Sequence, residues 1–102
     1  MPTFYEKVWK KCMDIPKGKV TTYKELGKAL NTKAYRAIGT ALRKNPCAPA
    51  VPCHRVINSN GKVGNYSGKG GRDAKIELLR NEGIIINNGS ANLKVFFYKF
   101  KK

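Results

Sequence analysis

The sequence predicts a mainly α-helical domain, winged-helix-like, in which a helix-turn-helix is followed by a short β-hairpin wing. Three observations predict it. Two threonine capping boxes, Thr3-Phe4-Tyr5-Glu6 and Thr22-Tyr23-Lys24-Glu25, each open a stretch with apolar residues at helical spacing. A further apolar stripe begins a short turn after the second of these and carries basic groups away from the stripe. Finally, Asn58-Ser59-Asn60-Gly61 lies between Arg55-Val56-Ile57 and Lys62-Val63-Gly64, and Asn-Gly suits the type I′ turn of a hairpin.

At 102 residues the chain supports one domain with a single modest core. In the first helix Phe4, Val8, Trp9, Cys12 and Met13 recur on one face, which carries it to about Asp14. Ile15-Pro16-Lys17-Gly18-Lys19 is a turn, and Val20-Thr21 a short extended piece. The second helix runs from the Thr22 cap through Leu26 and Leu30. Asn31-Thr32 ends it and caps a third helix, from Lys33 to about Lys44. Ala34, Ala37, Ile38, Ala41 and Leu42 form its buried stripe, while Arg36, Thr40, Arg43 and Lys44 fall largely away from it. Its small residues, Ala34, Ala37, Gly39 and Ala41, allow close approach to a neighbour or a groove.

Asn45-Pro46 stops the third helix, because proline lacks the amide proton and restricts the residue before it. Cys47-Ala48-Pro49-Ala50-Val51-Pro52 is then a stiff, extended linker that delivers Cys53. Beyond the expected hairpin, Gly64 to Gly71 is a glycine-rich loop holding Tyr66 and Ser67. A fourth helix spans Arg72 to Glu82, carrying Ala74, Ile76, Leu78 and Leu79 and closed by Gly83. Residues 84–102 read as an extended tail with no assigned role.

Twenty-one Lys and Arg against six Asp and Glu give a formal charge of +15. A field of that sign attracts phosphate backbones, although a basic helix face also fits plain solvation. The sequence has no apolar run of membrane-spanning length and no basic-then-apolar leader, so an intracellular location is expected, cytoplasmic or nuclear. Three cysteines, Cys12, Cys47 and Cys53, cannot all pair within one chain. Cys47-x5-Cys53-His54 lacks zinc-finger spacing and a fourth ligand, so no metal is expected.

The chemistry concentrates in Pro52-Cys53-His54-Arg55-Val56, where a cysteine precedes the only histidine of the chain. A thiol reacts as its thiolate, and an imidazole with an arginine nearby favours that form. Consecutive side chains seldom face each other, so a water between Cys53 and His54 would connect them. Glu82 is the candidate carboxylate to orient the ring's other nitrogen. A buried structural thiol and a hydrogen-bonded ring are the plainer alternatives.

Five segments then resemble, in order, the catalytic domain of the O6-alkylguanine-DNA alkyltransferases. They are Tyr35-Arg36-Ala37-Ile38-Gly39, Arg43-Lys44-Asn45-Pro46, Pro52-Cys53-His54-Arg55-Val56, Gly64-Asn65-Tyr66-Ser67-Gly68 and Asn81-Glu82-Gly83, within a match from about Phe4 to Gly83. The resemblance implies a catalytic C-terminal-type domain without the N-terminal domain that family members commonly carry. It implies that Cys53 accepts the alkyl group, His54 is the base acting through water, and Glu82 polarises His54. Asn45 would be the hinge between recognition helix and site, Arg36 the finger filling the space of the flipped guanine, and Tyr23 a residue crowding its phosphate. Tyr35, Thr40, Arg43 and Lys44 would join them at the DNA. Val56 and Ser67 would contact the guanine, through backbone and side chain respectively, beside Pro52, and Tyr66 would donate to its N3 edge. The expected partner is double-stranded DNA containing O6-alkylguanine, bound by a monomer without a membrane. Short alkyltransferase-like proteins, which bind lesions without removing them, are also similar in length, but typically carry tryptophan where this chain has Cys53. A winged-helix regulator with an incidental cysteine is the remaining alternative.

Overall fold

The computed structural model describes residues 3–45, 51–64 and 71–100. Helix α1, Phe4–Cys12, is opened by the full capping box: the Thr3 side chain accepts from Glu6 N while the Glu6 carboxylate accepts from Thr3 N. Strand β1 is Thr21–Thr22, and helix α2, Tyr23–Ala29, starts on Thr22, whose hydroxyl accepts from Glu25 N. Asn31 adopts φ 57°, and the bonds Asn31 N to Lys28 O and Thr32 N to Gly27 O end α2 in a Schellman turn. Helix α3, Tyr35–Arg43, then begins two residues later than the spacing predicts. Thr32 does not cap it: its hydroxyl accepts from Ala34 N, in front of the helix. Ile38, Ala41 and Leu42 are buried as expected, but Ala34 is exposed because it precedes the first turn.

The two helices meet closely at one point. A Cβ at Gly27 would lie 2.8 Å from Thr32 O and 2.7 Å from the Tyr35 ring. Gly27→Ala should therefore destabilise the fold by about 2 kcal/mol, read from a urea midpoint, because backbone cannot yield as a side chain can. An unchanged midpoint would mean that the α2–α3 approach is looser than it looks. Gly39, by contrast, faces open space. Trp9 Nε1 donates to Ala41 O at 2.7 Å, tying α1 to α3.

The expected wing is not formed as read. Cys53–Arg55 is a turn of 3-10 helix, and β2, Val56–Ile57, pairs in parallel with β1, Thr21 opposite Val56 and Thr22 opposite Ile57. The Asn58–Gly61 turn does close, through Gly61 N to Asn58 O, but only Gly61 takes a positive φ, so it is not type I′. Its far arm leaves β2 after the single bond Asn58 N to Lys62 O: Val63 N bonds Gly89 O, and Lys62 bridges Ser90. The hairpin lies instead in the stretch read as an extended tail. Strands β3, Ile86–Asn87, and β4, Ser90–Ala91, pair antiparallel around Asn88 and Gly89, with φ of 53° and 73°. That is the Asn-Gly turn, at a different Asn-Gly.

Helix α4, Gly71–Asn81, ends in a second Schellman turn, Gly83 N to Arg80 O and Ile84 N to Leu79 O, with Gly83 at φ 93°. Lys75 and Leu79 are its buried residues, while Ala74, Ile76 and Leu78 are only half-buried. After α5, Leu93–Phe96, the chain runs beside β1, with Val20 N donating to Phe96 O and Tyr98 N to Val20 O. Phe100 ends buried among α1 and α3 residues.

Two apolar clusters result. One gathers Val8, Cys12, Leu26, Ile38 and Leu42; the other gathers Val20, Val63, Leu79, Ile84 and Ile86. Successive side chains of a strand point to opposite faces, so Val56 belongs to the first cluster and Ile57 to the second. The seam between the cores is thus the peptide that follows Cys53-His54-Arg55. No described helix is long and apolar enough to cross a membrane.

Candidate active site and nucleic-acid interface

Cys53 sits at the first position of the 3-10 turn and is 6% exposed. Its backbone is fixed by Cys53 N to Val51 O at 2.8 Å and by Arg55 N to Pro52 O at 3.0 Å, with Pro52 buried. Asn45, directly after the α3 cap, donates from Nδ2 to the same Val51 carbonyl at 2.8 Å. One oxygen therefore links the end of α3 to the backbone of Cys53.

The Schellman turn of α4 places Glu82 at the helix cap, where the helix dipole disfavours an anion. Arg55 overcomes that. It donates from Nε to Glu82 Oε1 at 2.9 Å and from Nη2 to Oε2 at 2.6 Å, and its Nη1 donates to Ile15 O at 2.7 Å. Burial acts to raise the Glu82 pKa, but the hydrogen bonds from Arg55 and His54 outweigh it and hold the carboxyl below its ordinary value. In the sequence Arg55 reads as a strand residue with a general effect on the thiol. Its fork on Glu82 has no local signature, since the two residues are 27 positions apart.

His54 is 2% exposed, with Nε2 at 3.1 Å from Glu82 Oε2. An ionised carboxylate only accepts, so Nε2 carries the proton and Nδ1 keeps its lone pair. Nδ1 is buried without a hydrogen-bond partner among the described residues. Burial lowers the His54 pKa, partly offset by Glu82, so the ring is neutral at neutral pH. In the unfolded chain the ring takes its proton near the ordinary 6.5, so below that pH the unfolded state binds more protons. This contribution to stability is present above 6.5 and is lost as pH falls toward the lower folded value. With one histidine in the chain, ring NMR reads it cleanly. Glu82→Gln should lower the His54 pKa further, by removing the two influences that raise it; an unmoved titration would detach Glu82 from the ring.

Lys75 is the residue that sequence reasoning missed. It is 1% exposed, and its Nζ donates to Val56 O at 2.8 Å. Burial brings its pKa down to about 8, while charge on Cys53 works to raise it. Only its place at i and i+4 with Leu79 could have signalled an inward lysine, and an outward face is the usual reading of such a residue. The Val56 carbonyl, expected to meet a guanine, thus already accepts one bond.

Tyr23, the first residue of α2, packs against the cluster that contains Cys53, and its pKa is raised by burial and then by charge on Cys53. Cys12 shares that cluster; burial and then Cys53 push its thiol up to about 12, which leaves it protonated and unreactive. On α3, Tyr35, Arg36, Arg43 and Lys44 are exposed. Thr40 donates to Arg36 O and accepts from Arg43 Nη2, each at 3.1 Å. The structure brings together Cys53, His54, Glu82, Asn45, Pro52 and Val56, and sets Arg36, Tyr35, Thr40, Arg43 and Lys44 along one helix. Tyr66, Ser67 and the third cysteine, Cys47, lie outside the described residues.

Residues 3–84 match the family model described as 6-O-methylguanine DNA methyltransferase, DNA binding domain, a span that includes Cys53, His54 and Glu82. The chain is 49% identical over 80 residues to the methylated-DNA–protein-cysteine methyltransferase of Methanosarcina mazei, covering 78% of this chain and 49% of that protein. It therefore spans about half the length of that relative. Mycobacterium tuberculosis OGT in complex with DNA superposes with a TM-score of 0.74 at 40% identity, over 80% of this chain and 50% of that one. S. pombe Atl1, in complex with damaged DNA containing O6-carboxymethylguanine, superposes with a TM-score of 0.83 at 31% identity, over 98% of this chain and 100% of that one. By the match over residues 3–84, the chain belongs to the 6-O-methylguanine DNA methyltransferase family.

Proposed function

We propose that this protein repairs duplex DNA by transferring the alkyl group of O6-alkylguanine irreversibly to Cys53. The observation that carries the reading is the relay of Arg55, Glu82 and His54, which ends on a buried ring nitrogen free to take a proton, on the residue that follows Cys53 in the chain. An alkyl group on guanine O6 lies inside the base stack, so the nucleotide must be extruded, at a cost on the order of a few kcal/mol. Arg36, exposed near the start of α3, fills the vacated space, and Tyr23 crowds the phosphate as the nucleotide rotates. Tyr35, Thr40, Arg43 and Lys44 line the same helix, and Gly39, which nothing among the described residues requires to be small, lets that helix approach the groove. Asn45 couples α3 to the site through the Val51 carbonyl.

The Cys53 proton passes through a water to His54 Nδ1, and Glu82 stabilises the imidazolium that forms. The thiolate attacks the alkyl carbon in line, forming the S–C bond as the O6–C bond breaks. The electron pair leaves with the guanine, which takes a hydrogen bond or proton at N3 from Tyr66, and Val56 and Ser67 hold the base beside Pro52. Neither a metal nor a diffusible cofactor takes part. The thioether is stable, so each chain acts once, as a monomer; the domain that contacts DNA is also the one that carries the chemistry.

A second reading is favoured by the likeness to S. pombe Atl1 over that protein's whole length: a lesion sensor that flips alkylguanine without transfer. Titrating a duplex labelled in the O6-methyl group separates the two. Transfer predicts label on the protein that saturates at one equivalent per chain with no turnover. Tight binding with all label left on the DNA would favour the sensor.

A further inference from the structure

Residues beyond the family match build a basic surface of their own. The bonds Val20 N to Phe96 O, Tyr98 N to Val20 O and Thr21 Oγ1 to Tyr98 O fix the C-terminal segment along β1. They set Lys94 and Lys99 across a groove of about 520 Å³ from Lys24 and Lys28 of α2. Leu93 and Phe97 form part of its lining, and Glu25 is its one carboxylate, so four ammonium groups face a single negative charge. The groove shares Lys24 and Ser59 with a second one, of about 420 Å³, that reaches Tyr23 and Tyr35. A third groove, lined in part by Lys24, Lys28, Lys33 and Tyr35, overlaps both, so a cationic track runs from the start of α3 to the C-terminal segment.

We infer that Lys94 and Lys99, with Lys24 and Lys28, hold the sugar–phosphate backbone of duplex DNA flanking the position that α3 occupies. The placement of the lesion beside α3 rests on the function proposed above; the flanking contact itself concerns undamaged duplex. Continuity with the α2–α3 surface favours a duplex over an acidic protein, because a strand crossing Tyr23 and Tyr35 is carried directly over Lys24 into the groove. Each phosphate neutralised by a lysine releases condensed cations, so the track has a signature in the salt dependence of binding.

The test is the slope of log affinity against log salt on a long undamaged duplex, for the full chain and for Lys94→Gln with Lys99→Gln. Both side chains are exposed, which leaves the fold intact. The slope should become shallower by roughly 2, about 0.9 for each phosphate no longer neutralised. Lys7→Gln with Lys10→Gln, which removes the same charge from exposed positions of α1, should change it by less than half as much. On a duplex trimmed to the base pairs around α3, wild type and the Lys94/Lys99 variant should bind alike. Equal slopes for wild type and this variant on the long duplex, as an acidic protein partner would give, overturn the inference, and so does an equal loss in the α1 control. Alkyl transfer by the wild type is scored separately, so failure of the repair reading is distinguishable from failure of the track.

Discussion

Cys53→Ser is expected to abolish alkyl transfer, by ~10³-fold or more, while lesion-selective duplex binding survives. A serine hydroxyl is not ionised by a neutral imidazole alone in the way a thiol is, and its oxygen is a far poorer nucleophile toward an alkyl carbon. The fold offers no understudy among the described cysteines. Cys12 lies in the same apolar cluster, yet burial and the neighbouring Cys53 hold its thiol up at about 12, so it stays protonated. The check is label transfer alongside a binding titration on the same methylated duplex. Transfer that persists in the variant would move the chemistry to another residue.

Arg55→Leu should be the most damaging substitution that leaves the nucleophile in place. It strips Glu82 Oε1 and the Ile15 carbonyl of their Arg55 donors at once and leaves Glu82 Oε2 with His54 Nε2. Removing one partner of a largely buried pair leaves an uncompensated charge, which costs about 3 kcal/mol in the urea midpoint. Loss of the relay geometry should slow transfer on the order of 10²-fold. The His54 ring gives a signature that a merely structural loss would not. Arg55 lowers the His54 pKa whereas Glu82 raises it, so Arg55→Leu should shift the ring titration up and Glu82→Gln should shift it down. Shifts of the same sign would refute the division of roles.

Much of the molecule is legible in the sequence where physics is local. Thr3, Thr22 and Gly83 cap or close helices because their partners are three to five residues away, and each does so in the structure. The pairing of His54 with Glu82 is legible through family resemblance, and the structure brings the two within 3.1 Å. What escapes the sequence is non-local. Asn60-Gly61 and Asn88-Gly89 are equal turn signals, and only the pairing of Ile86 with Ala91 decides which one closes the hairpin. Local pairing is the simpler expectation for β2, which would join it to the arm that follows; its true partner, β1, lies 35 residues earlier across a parallel crossover. The charge of Lys75 argues for an outward face, and no residue near it in sequence announces that the Val56 carbonyl waits inside. Arg55 is hidden for the same reason: its work is done on α4 and at Ile15.

The central claim is that Cys53 ends the reaction carrying the alkyl group. The most direct measurement is the intact mass of the protein after incubation with excess O6-methylguanine duplex, followed by mapping of the modified peptide. Repair by transfer predicts that each chain gains one methyl in place of one hydrogen, all of it on the peptide containing Cys53. An unmodified protein that nevertheless holds the methylated duplex tightly would contradict it.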